Sequence, residues 1–165
     1  MKLKQLLTAI KYRAEQVPDV DITDLVYDSR KAVPGCAFVC LRGANADGHR
    51  YAKMAAEKGA AVIIAEEIVE APVPVILTEN TRLALAYLSA EFFGHPAEQM
   101  HVIGITGTKG KSTTAYYVRS ILNDWLTSEG KPPCAILSSI DNYDGVITEE
   151  SHITTPEVLE LYQHF

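Results

Sequence analysis

The sequence contains few cysteines and no long apolar run. Its three cysteines, Cys36, Cys40 and Cys134, are odd in number and include no Cys-x-x-Cys pair, so a disulfide framework is excluded. The apolar stretch CAFVC around the first two favours buried, reduced thiols. No segment approaches the roughly 18 apolar residues of a membrane span, and the start MKLKQLLTAIKYRAEQ soon becomes charged. We therefore expect no membrane insertion, no signal peptide and a cytoplasmic location.

Clusters of basic side chains are also lacking. The net charge is -6 and no run of lysine and arginine is longer than a pair. We therefore expect no nucleic-acid partner and no attraction to an anionic membrane surface. Hydrophobic residues make up 47% of the chain and charged residues 22%, which is typical of a globular protein. The length of 165 residues fits one domain, or one small domain and part of another.

Apolar periodicity predicts an α/β fold in two parts. The predicted strands and helices of the first part are strands 22–27, 37–41, 61–66 and 73–79 and helices 3–10, 47–60 and 80–95. The second part repeats the alternation with strand 101–106, helix 111–126 and strand 134–139. The segment HPAEQ between them is typical of a linker. We therefore predict two domains, 1–95 and 96–165, of which the second is incomplete.

The stretch VIGITGTKGKST, residues 102–113, has the composition of a phosphate-binding loop without the commonest spacing. That spacing requires a glycine five positions before Gly110, where Ile105 stands instead. The nearest earlier glycines are Gly107 and Gly104. A predicted strand before the loop and a predicted helix after it are nevertheless the context of a genuine phosphate loop. There, glycines allow backbone N–H groups to converge on an anion at the helix N-terminus.

Three side chains at the end of this loop have distinct expected roles. Lys111 would neutralise charge on the β- and γ-phosphates, and Ser112 would place its hydroxyl on Mg²⁺. Thr113 offers a further donor near the α-phosphate. The alternative is a strand-to-helix turn with an incidental lysine. The predicted ATP site consists of Gly107, Thr108, Lys109, Gly110, Lys111, Ser112 and Thr113.

The form GITGTKGKST resembles the G-x-x-G-T-x-G-K-[ST]-[ST] loop of the Mur ligases. These ATP-dependent enzymes add amino acids to the cell-wall precursor UDP-N-acetylmuramate. In this comparison Gly104, six positions before Gly110, takes the place of the family's first glycine. Thr108 matches the family form, whereas Lys109 stands where the family frequently has asparagine. The resemblance implies that phosphate binding is intact despite this departure.

The first part resembles the uridine-binding N-terminal domain shared by the two branches of this family that add the third residue and the terminal dipeptide. The matching motifs are Asp28-Ser29-Arg30, Pro34-Gly35, Leu41-Arg42-Gly43 and Asp47-Gly48-His49. The implied fold is a small α/β uridine-binding domain followed by the start of a phosphate-loop, Rossmann-like ATPase domain.

The uridine-binding residues are also implied by this resemblance. Ser29 would exchange hydrogen bonds with a uracil edge, and Tyr27 would contact the base. The loop residues Ala44, Asn45 and Ala46 would bind the diphosphate. The alternative for Asp28-Ser29-Arg30 is a solvated strand end. We expect His49 to be a structural loop residue rather than a catalyst.

The segment Thr154-Thr155-Pro156-Glu157 resembles the Thr-Thr-Pro segment of the branch that adds the third residue. There the two threonines lie against the muramoyl-peptide substrate, which implies UDP-precursor contacts for Thr154 and Thr155. From the residues alone, the segment predicts a helix start with a threonine cap. A cap and a substrate contact are compatible, because N–H groups at a helix N-terminus also suit a carboxylate or phosphate. The stretch LSSIDNYDG departs from relatives that carry a Gly-Thr pair there.

The resemblance implies an ATP-dependent, Mg²⁺-requiring ligase of peptidoglycan synthesis. The D-glutamyl carboxylate of UDP-N-acetylmuramoyl-L-alanyl-D-glutamate would become an acyl phosphate, and a diamino acid would attack it. The 165 residues match only about the first third of such a ligase, so we expect a fragment that is inactive without the C-terminal two-thirds. The alternatives are a terminal-dipeptide Mur ligase and a non-catalytic module that binds a nucleotide or UDP-sugar. The choice of amino acid lies outside this sequence.

Overall fold

The computed structural model describes residues 1–43, 46–151 and 155–165. The chain divides into two compact units, Met1–Pro96 and Ala97–Phe165, and each contains helices and strands, as the sequence predicts. The helices are α1 (Leu3–Leu6), α2 (Ala52–Glu57), α3 (Thr81–Phe92), α4 (Lys111–Ser128) and α5 (Val158–His164). The strands are β1 (Leu25–Val26), β2 (Ala37–Val39), β3 (Val62–Ala65), β4 (Val75–Leu77), β5 (Ile136–Leu137), β6 (Asp141–Tyr143) and β7 (Thr148–Glu150).

The first unit is built on a parallel sheet with the order β1-β2-β3-β4. Phe38 in β2 lies beside Val26 on one side and Ile63 on the other. Every residue of β2 and β3 is buried. A parallel sheet is covered on both faces, so its central strands have no exposed side and are apolar throughout. This explains the uninterrupted apolar runs that predict these two strands.

One face of this sheet packs against α2. Phe38 of β2 and the flanking residues Cys36 and Cys40 have their side chains in one apolar cluster, which also contains Ala52 and Ala55 of α2. Burial raises the pKa of the Cys36 thiol, and raises the pKa of the Cys40 thiol to about 12. Both thiols are therefore unreactive core groups, as the sequence predicts. The third cysteine, Cys134, is only half-buried, and all three are free.

The four parallel strands end at one edge of the sheet. Tyr27 follows β1, Cys40 follows β2, Glu66 follows β3 and Thr78 follows β4. Ligands of open parallel sheets bind outside this carboxyl edge. Of the described candidate uridine-binding residues, Tyr27 and Ser29 follow β1 on this edge, where a ligand is expected.

Helix α3 begins and ends as its sequence predicts. The Asn80 side chain accepts a hydrogen bond from the backbone N–H of Leu83 at 2.8 Å, which caps the helix start. After the last helical residue, Gly94 adopts a φ of +75°, a conformation that glycine reaches without a steric penalty. Among the described residues, no helix is both long enough and apolar enough to cross a membrane.

The second unit contains α4, an antiparallel β5-β6-β7 sheet and α5. The predicted strand 101–106 is wrong, because these residues form no regular secondary structure. A strand is defined by its pairing with a neighbour, and no described strand pairs with this segment. Val102 and Ile103 are accordingly 57% and 60% exposed despite their apolar side chains.

The start of α5 also differs from the prediction. The helix begins at Val158, its N-cap position is Glu157, and no side chain of the described residues caps it. A threonine cap at the Thr-Thr-Pro segment is therefore wrong for Thr155, and Thr154 lies outside the described residues. Proline disfavours helical conformation in the residue before it, so Pro156 keeps Thr155 out of the helix.

Candidate functional site

The predicted phosphate loop lies at the N-terminus of α4, an 18-residue helix. Gly110 is its N-cap and adopts a left-handed conformation with φ 76° and ψ 2°. The first helical hydrogen bond runs from the Thr114 N–H to the Gly110 carbonyl at 2.9 Å. Glycine has no side chain to cap the helix, and the N–H groups before Thr114 have no carbonyl partner within the helix. This helix end is therefore suited to an anionic ligand.

The side chain of Lys111 folds back over the loop. Its Nζ donates a hydrogen bond to the carbonyl oxygen of Gly107 at 2.8 Å. Gly107 itself has a φ of +155°, which L residues rarely adopt. The lysine thus ties the two ends of the Gly-Thr-Lys-Gly segment together, with its ammonium group at the mouth of the loop.

The remaining loop side chains divide into one paired hydroxyl and several exposed groups. The Ser112 Oγ lies 2.9 Å from the Ser139 Oγ, which follows β5. Thr108, Lys109 and Thr113 are exposed. The sequence reasoning did not identify Ser139 as a neighbour, because the contact depends on the position of β5 relative to α4.

A cavity of about 550 Å³ lies beside the loop within the second unit. Its lining includes Lys111, Ser112, Ser139 and Thr155. The structure thus brings two residues of the Thr-Thr-Pro segment, Thr155 and Pro156, to the cavity that the phosphate loop borders. Both segments could act on one bound substrate.

Arg119 also lines this cavity and was missed by the sequence reasoning. Its guanidinium carbon lies 5.1 Å from the centre of the Tyr143 ring, a distance typical of a cation–π contact. Its Nε is buried and has no hydrogen-bond partner among the described residues. The helical spacing from Lys111 was the available signal, but charged residues on a helix are usually solvated.

In the first unit, Asp28 and Arg30 order the chain directly after β1. Asp28 Oδ1 accepts a hydrogen bond from the Arg30 N–H at 2.9 Å and caps a short 3₁₀ helix, Ser29–Lys31. The Arg30 guanidinium also pairs with both carboxylate oxygens, the shortest distance being 2.7 Å. These contacts lower the pKa of Asp28 to about 2, mainly through the Arg30 side chain. The segment is thus an ordered strand end, with Asp28 and Ser29 held locally and the Arg30 side chain 85% exposed.

The two residues expected to contact uracil have different exposure. Ser29 is 7% exposed, and its hydroxyl donates to the Met54 Sδ at 3.7 Å. Sulfur is a weak acceptor, so this hydroxyl retains capacity for a stronger partner. Tyr27 is half-buried. Of the three expected diphosphate-binding residues, Ala46 is exposed, whereas Ala44 and Asn45 lie outside the described residues.

His49 is a buried structural residue, as the sequence reasoning expected. Its Nε2 accepts a hydrogen bond from the Glu66 N–H at 3.0 Å, so the ring proton is on Nδ1. The Nδ1 then donates to Asp47 Oδ1 at 2.6 Å. This hydrogen bond is the main reason why the pKa of Asp47 is lowered.

Asp47, His49 and Glu67 have potential metal-ligating atoms within 4.8 Å of one another. A cation is already present there, because the Arg42 guanidinium lies 3.6 Å from Asp47 and 3.1 Å from Glu67. Both ring nitrogens of His49 are engaged in hydrogen bonds as well. The cluster is therefore an arginine ion-pair network rather than a metal site.

Comparison with protein families gives a match over residues 21–93 to the model described as Mur ligase family, catalytic domain. The chain is also 43% identical to the UDP-N-acetylmuramoyl-L-alanyl-D-glutamate–2,6-diaminopimelate ligase of Bacillus licheniformis, over 100% of this chain and 33% of the relative. The ligase of the same name from Clostridium botulinum is 38% identical, over 100% of this chain and 34% of the relative. The chain belongs to the Mur ligase family.

Solved Mur ligase structures have the same fold. MurF from Acinetobacter baumannii matches with a TM-score of 0.61 and 34% identity, over 73% of this chain and 27% of that one. A UDP-N-acetylmuramoyl-L-alanyl-D-glutamate–2,6-diaminopimelate ligase matches 99% of this chain with a TM-score of 0.69. At 19% identity, the second comparison concerns the fold alone.

This Mur ligase chain spans about a third of the length of the curated relatives that it matches. The family-model match lies in the first unit and ends before the phosphate loop, although its description names a catalytic domain. The two ligases, in contrast, match this chain over its whole length, which includes the phosphate loop.

Proposed function

We propose that the chain supplies the UDP-precursor site and the phosphate loop of an ATP-dependent ligase acting in the cytoplasm. The ligase would add a diamino acid to UDP-N-acetylmuramoyl-L-alanyl-D-glutamate during peptidoglycan synthesis. The observation that carries this proposal is the continuous similarity of the whole chain to ligases named for that reaction. The first unit would be the precursor-binding domain and the second the beginning of the ATP-binding domain.

The geometry of the second unit supports binding of ATP at residues 107–113. The Gly110 N-cap and the first turn of α4 present backbone N–H groups, and Lys111 adds a positive charge at the mouth of the loop. Mg²⁺ prefers oxygen ligands, and the Ser112 hydroxyl, which lies 2.9 Å from the Ser139 hydroxyl, fits that preference. Bound Mg²⁺ would neutralise phosphate charge.

The geometry of the first unit supports binding of the UDP moiety at the carboxyl edge of its sheet. Tyr27 and Ser29 follow β1, and Ala46 follows the adjacent strand β2. Ser29 would exchange its weak contact with Met54 for a hydrogen bond to uracil. Residues 44–46 would bind the diphosphate. In the second unit, Thr155 would contact the muramoyl peptide together with Thr154.

The proposed chemistry follows from the poor reactivity of a carboxylate. Transfer of the γ-phosphoryl group of ATP to the D-glutamyl carboxylate gives an acyl phosphate and ADP. The amine of the incoming amino acid then attacks the acyl carbon and expels phosphate, which completes the amide. Lys111 would hold the transferring phosphoryl group against the carboxylate and offset the repulsion between two anions.

A terminal-dipeptide ligase is the second candidate, and a specific observation favours it. The 34% identity to Acinetobacter baumannii MurF extends over 73% of this chain with a TM-score of 0.61. Its substrate would already carry the third residue. The longer matches to the diaminopimelate ligases place this candidate second.

The proposal is tested by calorimetric titration of the 165-residue chain with UDP-N-acetylmuramoyl-L-alanyl-D-glutamate and with the corresponding UDP-tripeptide. We expect saturable binding of the first ligand. The Ser29→Ala variant should bind it about tenfold more weakly, because one hydrogen bond to the base is lost. The Ser128→Ala variant is the matched control, since Ser128 is exposed at the far end of α4.

Each other outcome contradicts a part of the proposal. Preference for the UDP-tripeptide would favour the terminal-dipeptide ligase. If UDP, titrated in the same way, binds as tightly as both UDP-peptides, the result would favour the non-catalytic nucleotide-binding module. A folded chain that binds ATP but none of the UDP ligands would refute the assignment of the first unit.

A further inference from the structure

Ser29 is a buried hydroxyl residue whose backbone is held from two sides. Asp28 caps the 3₁₀ helix Ser29–Lys31 by accepting a hydrogen bond from the Arg30 N–H at 2.9 Å. The Lys58 Nζ donates to the Arg30 carbonyl oxygen at 3.2 Å, which ties this short helix to the residue directly after α2. Because the backbone is held in this way, a ligand must come to the Ser29 hydroxyl where it stands.

The thioether of Met54 lies against this hydroxyl. The Ser29 Oγ donates to the Met54 Sδ at 3.7 Å. Met54 belongs to α2, where its carbonyl oxygen accepts the Lys58 N–H at 3.1 Å. It is 42% exposed, whereas Ser29 is buried. A methionine side chain is unbranched and has three rotatable bonds, so the thioether covers the hydroxyl and can move without a change in the backbone.

A ligand that reaches the Ser29 hydroxyl becomes a neighbour of Met54. An oxygen hydrogen-bonded to the Ser29 Oγ at about 2.8 Å would lie only about 5 Å from the Met54 Sδ in its present position. Sulfur packs favourably against aromatic rings at about this distance. A small rotation of the side chain is therefore enough to move the thioether from the hydroxyl to the face of a ring bound there.

The two side chains together suit a flat base with a polar edge. A hydroxyl both donates and accepts hydrogen bonds, so Ser29 can pair with the edge of uracil. The faces of the ring are apolar and polarisable, and a thioether is a suitable partner for them. Sulfur is a weak acceptor, so the hydroxyl loses little when it turns from Met54 to the base.

We propose that Met54 is a further contact residue of the uridine site, which covers the Ser29 hydroxyl in the free chain and packs on the uracil ring in the complex. This inference rests on the proposed function, because it takes the pairing of Ser29 with uracil from there. It adds a residue of α2 to a site whose other proposed members follow strands β1 and β2.

The methyl group of Met54 can be observed directly, because the chain contains only three methionines, Met1, Met54 and Met100. The test is NMR of the chain labelled with ¹³C-methyl methionine and titrated with UDP-N-acetylmuramoyl-L-alanyl-D-glutamate. The Met54 signal, identified as the one that Met54→Leu removes, should shift upfield under the ring current of the base. It should also show a nuclear Overhauser effect to the H5 or H6 proton of uracil.

Two controls accompany this titration. The Met1 signal should stay unchanged, because the Met1 amino group donates to the Ile22 carbonyl oxygen, which precedes β1 and lies away from the carboxyl edge of the sheet. Titration with ATP and Mg²⁺ should leave the Met54 signal unchanged as well.

Calorimetric titration of variants measures what the contact contributes. Met54→Ala should bind the precursor about threefold more weakly, because the partner of the ring face is lost. This variant should fold, since the position is exposed and alanine favours helices. Val33→Ala is the matched control and should bind normally, because Val33 is 41% exposed and precedes β2.

Two results would overturn the inference and leave the proposed function intact. In one, the precursor shifts the amide signal of Ser29 but not the methyl signal of Met54. In the other, Met54→Ala binds the precursor as tightly as the unaltered chain or more tightly, which would mean that Met54 only covers Ser29. If the unaltered chain does not bind the precursor, the proposed function fails together with the inference.

Discussion

Single residues at the two proposed sites have geometries that sequence motifs describe only partly. The motif Asp28-Ser29-Arg30 predicted a uridine contact by resemblance, and the left-handed Gly110 agrees with the glycine that the loop pattern requires. The motifs could not show that Asp28 caps the 3₁₀ helix Ser29–Lys31. They also could not show that Lys111 donates a hydrogen bond to the Gly107 carbonyl oxygen. Those contacts depend on side-chain conformations, which neighbouring residues in space determine.

The Asp28→Asn substitution should make the stability of the first unit less dependent on pH. The folded-state pKa of Asp28 is lowered from its usual 3.8 to about 2, so the ionised carboxylate stabilises the fold above about pH 4. This stabilisation is lost as the pH falls from 4 towards 2. It should amount to roughly 1 kcal/mol, since the Arg30 partner is 85% exposed and screened by solvent.

Thermal unfolding monitored by circular dichroism between pH 2 and 7 measures this effect. Asp28→Asn should lower the midpoint by a few degrees at pH 7 and have no effect near pH 2. Asp19→Asn is the control, because Asp19 is 73% exposed and lies 3.6 Å from Lys2. An equal loss at every pH would contradict the Arg30 explanation.

The Lys111→Ala substitution should weaken ATP binding by at least about tenfold, since a charged contact with the phosphates contributes about 1.5 to 3 kcal/mol. Calorimetric titration with ATP and Mg²⁺ measures the loss. Lys131→Ala is the matched control, because Lys131 lies beyond the opposite end of α4 with its ammonium group over the Trp125 ring. Equal ATP affinity of the two variants would refute the phosphate-loop assignment.

Helices were predicted better than strands, for a physical reason. Helix α3 carries its own signals, from the Asn80 cap to the Gly94 stop, and helical hydrogen bonds are local. A strand requires a partner that is distant in sequence. The run 101–106 has the apolar composition of a strand, but no described strand pairs with it. Strands β6 and β7 were not predicted, and they form an antiparallel sheet with β5.

The Asn80→Ala substitution should destabilise the first unit by about 1 kcal/mol, because it removes the side-chain acceptor for the Leu83 N–H. Urea unfolding measures the change in free energy. Asn80→Asp should retain most of the stability, since aspartate also caps helix starts. A destabilised aspartate variant together with a normal alanine variant would show that the cap is unimportant.

The whole chain combines two α/β units, and the prediction of that class is confirmed by the parallel sheet and by the Mur ligase structures with the same fold. The sequence predicted this level well because buried parallel strands and amphipathic helices have distinct apolar patterns. It could not predict the Arg42–His49 network, whose members meet only when β2 and β3 lie side by side. The ligand-binding roles of all candidate site residues stay predictions, and Ala44, Asn45 and Thr154 also lie outside the described residues.

The central claim is that the first unit binds the UDP precursor and that the second binds ATP. The most direct test is residue-resolved NMR of the ¹⁵N-labelled chain, titrated separately with UDP-N-acetylmuramoyl-L-alanyl-D-glutamate and with ATP and Mg²⁺. The precursor should shift the amide signals of Tyr27, Ser29 and Ala46, and ATP should shift those of residues 107–113. A precursor that shifts no signal in residues 1–96, or ATP that leaves the signals of 107–113 unchanged, would contradict the account.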